Sequence, residues 1–294
     1  MEIPKYPDSR PVFLEDRQLM HSVFIRMQPS ISEFTFANIF LFRHAHEYRI
    51  SVFGESLVIL GRGYDGTEYF LPPLEGNISS AADGLLSEGL TLYGADRAFL
   101  DRCLPLSEHL EVMEDRDSHD YLYLRSDLAE LPGNRYHKKK NRVNYFSSRH
   151  SYMVEHYASR HLKGALDLLK VWGDSHKEPA GLSLRHEIKA TAEGLERAEE
   201  LGLDGVVVMI EGDVKAFALG ERLNSVTSVC HFEKGDPFLE GVSQLADREF
   251  NRICFTDCVY VNREQDLGEP NLRRAKLSYH PVEMVEKFRV RYLR

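Results

Sequence analysis

Two stretches near the C-terminal end concentrate side chains able to move protons or hold anions. NREQDLGEPNLRRAK, residues 262–276, follows an extended run and carries Asn262, Arg263, Glu264 and Asp266, more polar groups than a packing loop requires. Arg273 and Lys276 come one helical turn apart and suit a phosphate or a carboxylate. The second stretch is CHFEK, where strand alternation places His231 and Glu233 on one face and Phe232 with Lys234 on the other. There His231 is a candidate base, with Glu233 orienting it or binding an ammonium group. Glu221, beside Asn224 at the exit of a hairpin, is placed to turn inward from the opposite strand. The catalytic candidates are therefore His231, Glu233, Glu264 and Asp266, and the substrate-binding candidates Glu221, Asn262, Arg263, Arg273 and Lys276. A structural histidine and an ion-pair network between domains are the competing explanations.

A third stretch differs in sign from the rest of the chain. From Leu131 to Val154 there are six cations (Arg135, Lys138, Lys139, Lys140, Arg142 and Arg149) and no acid, within a protein whose net charge is -9. Arg135, Lys138, Lys139 and Arg142 recur at i, i+3, i+4 and i+7, with Tyr136, Val143 and Phe146 opposite. The spacing predicts a helix with one cationic and one apolar stripe. Like charges on one face repel, and no acid stands at i±4 to relieve them, so a polyanionic partner is the economical reading. Tyr136 nearby would add stacking. A solvated surface helix is the plain alternative. Of 37 Lys and Arg, 31 remain outside this segment against 46 Asp and Glu. An anion is thus met at a patch and not over the whole surface.

The elements that must position these groups follow from periodicity. With 294 residues, 43% hydrophobic and 28% charged, the chain has the composition of a globular protein large enough for one large domain or two ordinary ones. Residues 14–27 read as an amphipathic helix with Leu19, Val23 and Met27 in register. Hairpins are expected at Gly54-Glu55 and at Glu211-Gly212-Asp213. Both halves run helix, hairpin, strand, helix, strand, a match of element order without a residue-level repeat. The fold class is α+β, with a mixed, mostly antiparallel sheet flanked by helices in each half. No basic start with an apolar run marks a signal peptide, and no window approaches a membrane span, so a cytoplasmic location is expected. The cysteines Cys103, Cys230, Cys254 and Cys258 show no CxxC spacing; they read as buried reduced thiols and not as a metal site.

LPGNRYHKKKNRVNYF and AFALGERLN…CHFEKGD…YVNREQDLGEPNLRRAKLSYHP, with ISEFTFANIF as a weaker third match, resemble the family named for the C-terminal domain of phosphatidylglycerol lysyltransferase, long classed as a domain of unknown function. The chain departs at Lys139, where many relatives carry Arg; the charge is kept but the two-pronged geometry is lost. The resemblance implies two tandem acyltransferase folds of the GNAT type: residues 1–130, a basic connecting helix over 131–150, and residues 151–294. It also implies transfer of an aminoacyl group from aminoacyl-tRNA to a lipid head group or other small acceptor. The tRNA would be met by Arg135, Tyr136, Lys138, Lys139 and Arg142. The lipid synthases of the family carry a transmembrane region that this sequence lacks, which leaves peripheral membrane contact open.

Two rivals remain at this level. An acyl-CoA-dependent acetyltransferase needs open amides at a Gly-rich strand-to-helix turn. The turn here, EKGDPFLEGVSQL, has Asp236 to repel phosphate and Pro237 to remove a donor, leaving Gly241 as the weak opening. No cofactor is therefore expected. The other rival is a non-catalytic tRNA- or RNA-binding protein.

Overall fold

A computed structural model describes residues 2–104, 108–175 and 181–293. The chain clusters into two units, each built on a seven-stranded sheet. The first sheet has the order β1-β2-β3-β4-β5-β14-β6. Its strands are β1 (Arg10–Pro11), β2 (Arg49–Phe53), β3 (Ser56–Arg62), β4 (Glu68–Phe70), β5 (Thr91–Ala95), β6 (Leu110–Glu114) and β14 (Phe288–Tyr292). The second has the order β13-β7-β12-β11-β10-β9-β8. It is made of β7 (Asp120–Leu124), β8 (Met153–His156), β9 (Asp204–Ile210), β10 (Asp213–Arg222), β11 (Thr227–Gly235), β12 (Tyr260–Asn262) and β13 (Glu283–Val285).

The sheets share a pairing pattern. Each has a meander of antiparallel strands, β1 to β4 in one and β8 to β11 in the other, followed by a parallel step, β4 to β5 and β11 to β12. A long helix fills each parallel crossover: Ile78–Ser87 in the first unit and Val242–Ile253 in the second. The next strand is exchanged. β5 pairs with β14 from the C-terminal end of the chain, and β12 pairs with β7 from its middle. The compact units follow this exchange and not the expected boundaries after residues 130 and 150. One unit runs to Asp120 and adds Gln265–Pro270 and the segment from Met284 onward; the other is Tyr121–Glu264 with Asn271–Glu283. The basic helix belongs to the second unit. β8, β13 and β14 are short segments without turn signals of their own, and periodicity did not mark them.

Local sequence explains most elements. Gly54 and Gly212 take positive φ at the two hairpin turns, as the Gly-containing dipeptides require. Thr35 caps the helix Phe36–Leu41 by accepting from the Asn38 amide at 3.2 Å. The helix Arg17–Met27 buries Met20, Val23 and Phe24, and Leu19 is exposed. The buried stripe runs at i, i+3 and i+4 from Met20, one residue on from the expected start at Leu19. The first core gathers Val58, Phe70, Leu85, Leu92, Phe99 and Val290, the last supplied by the exchanged strand. The second is built on the run Val206, Val207 and Val208 with Phe217, Phe232 and Phe250. Among the described residues no helix is long and apolar enough to cross a membrane.

Candidate active site

β11 runs to Gly235 but pairs with β12 only from Thr227 to Val229, so the two parallel strands part at Cys230. On its other edge β11 keeps pairing with β10, through a bulge: Phe232 lies opposite Leu219 and Cys230 opposite Gly220, leaving His231 without a cross-strand partner. A bulge bends its strand and re-aims the extra side chain. Gly220 permits the close approach, since a Cβ there would stand 2.0 Å from the Val229 carbonyl oxygen. The wedge between the strands is filled with charge.

His231 lies between two carboxylates, Nε2 at 3.0 Å from Glu221 and Nδ1 at 2.7 Å from Glu264. Burial works against its charged form, yet the hydrogen bonds to Glu221 and Glu264 outweigh burial and hold the ring up to about 10. His231 is therefore an imidazolium donating from both nitrogens at neutral pH. Both ring nitrogens are engaged, so the ring ties Glu221 and Glu264 together. Glu264 is set by its backbone, which has φ of 56°. The Asn262 side-chain oxygen accepts from the Glu264 amide at 2.7 Å, and the Lys276 ammonium donates to the carbonyls of Arg263 at 2.6 Å and Glu264 at 3.1 Å. Asn262 and Lys276 thus position Glu264. Lys276→Met should lower stability by about 1.5–3 kcal/mol, the range for hydrogen bonds to charged groups, read as a shifted urea midpoint.

A second charged set adjoins the first through consecutive residues. Arg263 donates to Glu233 at 2.6 Å and stands 3.1 Å from Asp247, with its guanidinium 4.9 Å from the Tyr279 ring centre. Burial pushes the Asp247 carboxyl up to about 7, against the pull of Arg263. One Asp247 oxygen and Arg263 Nη1 are buried without a hydrogen-bond partner. Sequence reasoning missed Asp247. Its signal was an acid placed three residues before Phe250, on the apolar face of LADREF. Glu233 and Glu264 each keep 17% of their side chains exposed, against 1% for His231 and 3% for Asp247. The two glutamates are the accessible acids of the cluster.

The basic segment forms the helix His137–Ser147, entered through a turn at Asn134–Tyr136, and Val143 and Phe146 are buried as expected. Its cations divide. Lys138, Lys140 and Arg142 are exposed. Arg135 is paired with Asp127. Lys139 turns inward, its ammonium 3.8 Å from the Tyr279 ring centre. Burial, followed by the charge of Arg263, lowers Lys139 to about 8. Tyr136 is fully buried, with its hydroxyl donating to the Tyr279 carbonyl at 3.0 Å. It has no free face for a base, which corrects its expected stacking role.

Asp266 has a different setting. It belongs to the first unit, is completely buried, accepts from the Gly268 amide at 2.9 Å and pairs with Arg116 at 3.3 Å. It shapes its own turn. Arg273 lies half-buried on the helix Pro270–Leu277, one turn before Lys276. At the strand-to-helix turn, Asp236 accepts from the Phe238 amide at 2.9 Å. Gly241 packs so closely that a Cβ would meet the Arg142 carbonyl oxygen at 2.1 Å. All four cysteines are buried and free. Both His231 nitrogens are engaged by carboxylates, so Cys230-His231 offers no ligand pair. Among the described residues, His156, Asp204 and Cys254 lie close enough together that they could hold a metal ion.

Known proteins share this architecture. A conserved protein of unknown function from Bacteroides thetaiotaomicron is 27% identical with a TM-score of 0.86, over 97% of this chain and 99% of that one. L-PGS from Bacillus licheniformis superposes with a TM-score of 0.65 at 13% identity, over 99% of this chain and 94% of that one. FemX gives 0.57 at 9% identity, over 96% of each chain. No curated protein matches the sequence significantly. The two units form a tandem GNAT-like fold. The family described as phosphatidylglycerol lysyltransferase, C-terminal, matches residues 24–291, and the chain belongs to that family.

Proposed function

We propose that the protein is an aminoacyltransferase that takes its acyl group from aminoacyl-tRNA and passes it to a lipid head group or another small acceptor. One observation carries this reading: a single helix, His137–Ser147, points Lys138, Lys140 and Arg142 to solvent and Lys139 toward the Arg263–Asp247–Glu233 cluster. A polyanion held on the outer face of that helix has its acyl end within reach of the inner one. There Glu233 and Glu264, paired with Arg263 and His231, suit the ammonium group of an aminoacyl ester. An ester is already activated, so position and charge supply most of what transfer needs. The family name, a lysyltransferase acting on a lipid, supports an aminoacyl group as the one transferred and one class of acceptor. Use of CoA is less well supported, because Asp236 and the Arg142 carbonyl occupy the turn that would cradle its phosphates.

Binding of charged and uncharged total tRNA across a salt series tests the donor. About four phosphate contacts predict a log-log slope near -3, and charged tRNA should bind more tightly. Lys138→Glu with Arg142→Glu should weaken binding at least tenfold and leave the melting temperature unchanged, because exposed charges contribute little to folding. Absence of tRNA binding at low salt, with acetyl-CoA raising the melting temperature instead, would reject the reading.

A further inference from the structure

Apart from the charged wedge, three side chains that commonly bind transition metals meet in the second unit. His156 ends the edge strand β8, Asp204 opens β9 and Cys254 caps the C-terminus of the helix Val242–Ile253. One ligand atom of each lies within 4.8 Å of the other two. His156 Nδ1 stands 3.3 Å from Asp204 Oδ1, which also accepts from the Gly205 amide at 2.7 Å. We propose that His156, Asp204 and Cys254 form a three-ligand site for a thiophilic divalent cation, zinc by chemistry, with its fourth position open to solvent.

The donor set and the geometry support this separately. Nitrogen, thiolate sulfur and carboxylate oxygen together favour zinc over magnesium or calcium, which take oxygen alone. Zinc bonds of about 2.0–2.3 Å at tetrahedral angles put nitrogen and oxygen about 3.4 Å apart, and sulfur about 3.6 Å from either. The His156–Asp204 separation of 3.3 Å is already at that spacing, and contacts of up to 4.8 Å close by small side-chain rotations. Thiolate and carboxylate together bring two negative charges, which the cation neutralises beside a neutral imidazole. His156 and Asp204 keep 60% and 44% of their side chains exposed, so an ion and a water have access. Cys254 is 1% exposed and anchors the inner side. Burial, with the Asp204 carboxylate, pushes the free thiol up, and a bound cation must displace that proton. The ion would tie the edge of the sheet to the end of the helix whose other residues include Asp247.

Titration of the full chain with Co2+ as an optical probe, and with Zn2+ as competitor, tests the site. One equivalent of Co2+ should produce a thiolate-to-cobalt charge-transfer band with tetrahedral visible bands, and Zn2+ should remove them. Cys254→Ser should abolish the charge-transfer band, and Cys258→Ser should leave it intact. His156→Ala, at an exposed side chain, should weaken Co2+ binding at least tenfold with the fold preserved, and it decides the matter if Cys254→Ser fails to fold. Cobalt uptake without the band, a band that survives Cys254→Ser, or equal affinity in His156→Ala overturns the proposal. None of these readings depends on tRNA or on transfer activity.

Discussion

Lys287→Met should cost the first unit about 3–5 kcal/mol at neutral pH, the loss expected when one partner of a buried ion pair is removed. The Lys287 ammonium donates to both Glu33 oxygens, at 2.8 and 2.6 Å, and to Asp120 at 2.7 Å, with none of the three side chains more than 4% exposed. Asp120 is further held by the Ser32 amide at 2.8 Å and hydroxyl at 3.0 Å. Two acids share one cation. Burial pushes Glu33 up, opposed by Lys287 and reinforced by Asp120. A carboxyl raised in the folded state contributes most below its unfolded pKa and loses that contribution as pH rises through its folded pKa. Removing Lys287 raises Glu33 further and widens the window of loss. The deficit of the variant should accordingly shrink in acid, where Glu33 can be buried neutral, and Glu33→Gln with Asp120→Asn should recover much of it. Urea midpoints from pH 5 to 8 give the answer. A variant as stable as the wild type at pH 7 would show that the triad is not ionic.

The second large effect is a stability slope set by His231. Its folded pKa of about 10 stands above the unfolded value of about 6.5. The folded state therefore binds more protons between these values, and stability falls as pH rises. The sign follows directly: the contribution is complete below about pH 6.5 and gone above about pH 10. The slope approaches about 1.4 kcal/mol per pH unit, or roughly 3–4 kcal/mol in all between pH 7 and 10. Lys139 acts in the opposite sense above about pH 8, because burial lowers it and the unfolded chain there binds the extra proton. The difference between wild type and His231→Gln isolates the histidine, since Lys139 is present in both. His231→Gln should flatten the decline in unfolding free energy, measured in urea at a series of pH values. Parallel curves would mean that His231 is neutral in the folded protein.

Much of this was legible before folding was considered. The cationic helix, its apolar stripe at Val143 and Phe146, and the polar cluster around Glu264 came from spacing alone, and the structure forms that helix and joins His231, Glu221, Glu233, Arg263 and Glu264. Roles were harder to read than places. Lys139 and Lys138 are neighbours in sequence and of one chemical type, yet one stacks on Tyr279 and the other faces water. Lys276 looked like an anion ligand, and its ammonium is held by two carbonyls. Asp266 stands two residues from Glu264 but belongs with Arg116. In each case the deciding partner is more than ten residues away in the chain, beyond the reach of any local period.

By itself the sequence determined most of the element order, the α+β class, the change of charge at residues 131–154 and the residues most able to do chemistry, because period, charge and turn residues are local properties of the chain. Tertiary structure alone decided which strands are exchanged between the sheets, which cations remain free, and that His231 carries a proton. Those outcomes depend on burial and on charges brought together from distant segments, and in a low-dielectric interior the partner sets the protonation state of a side chain more strongly than its own chemical type does.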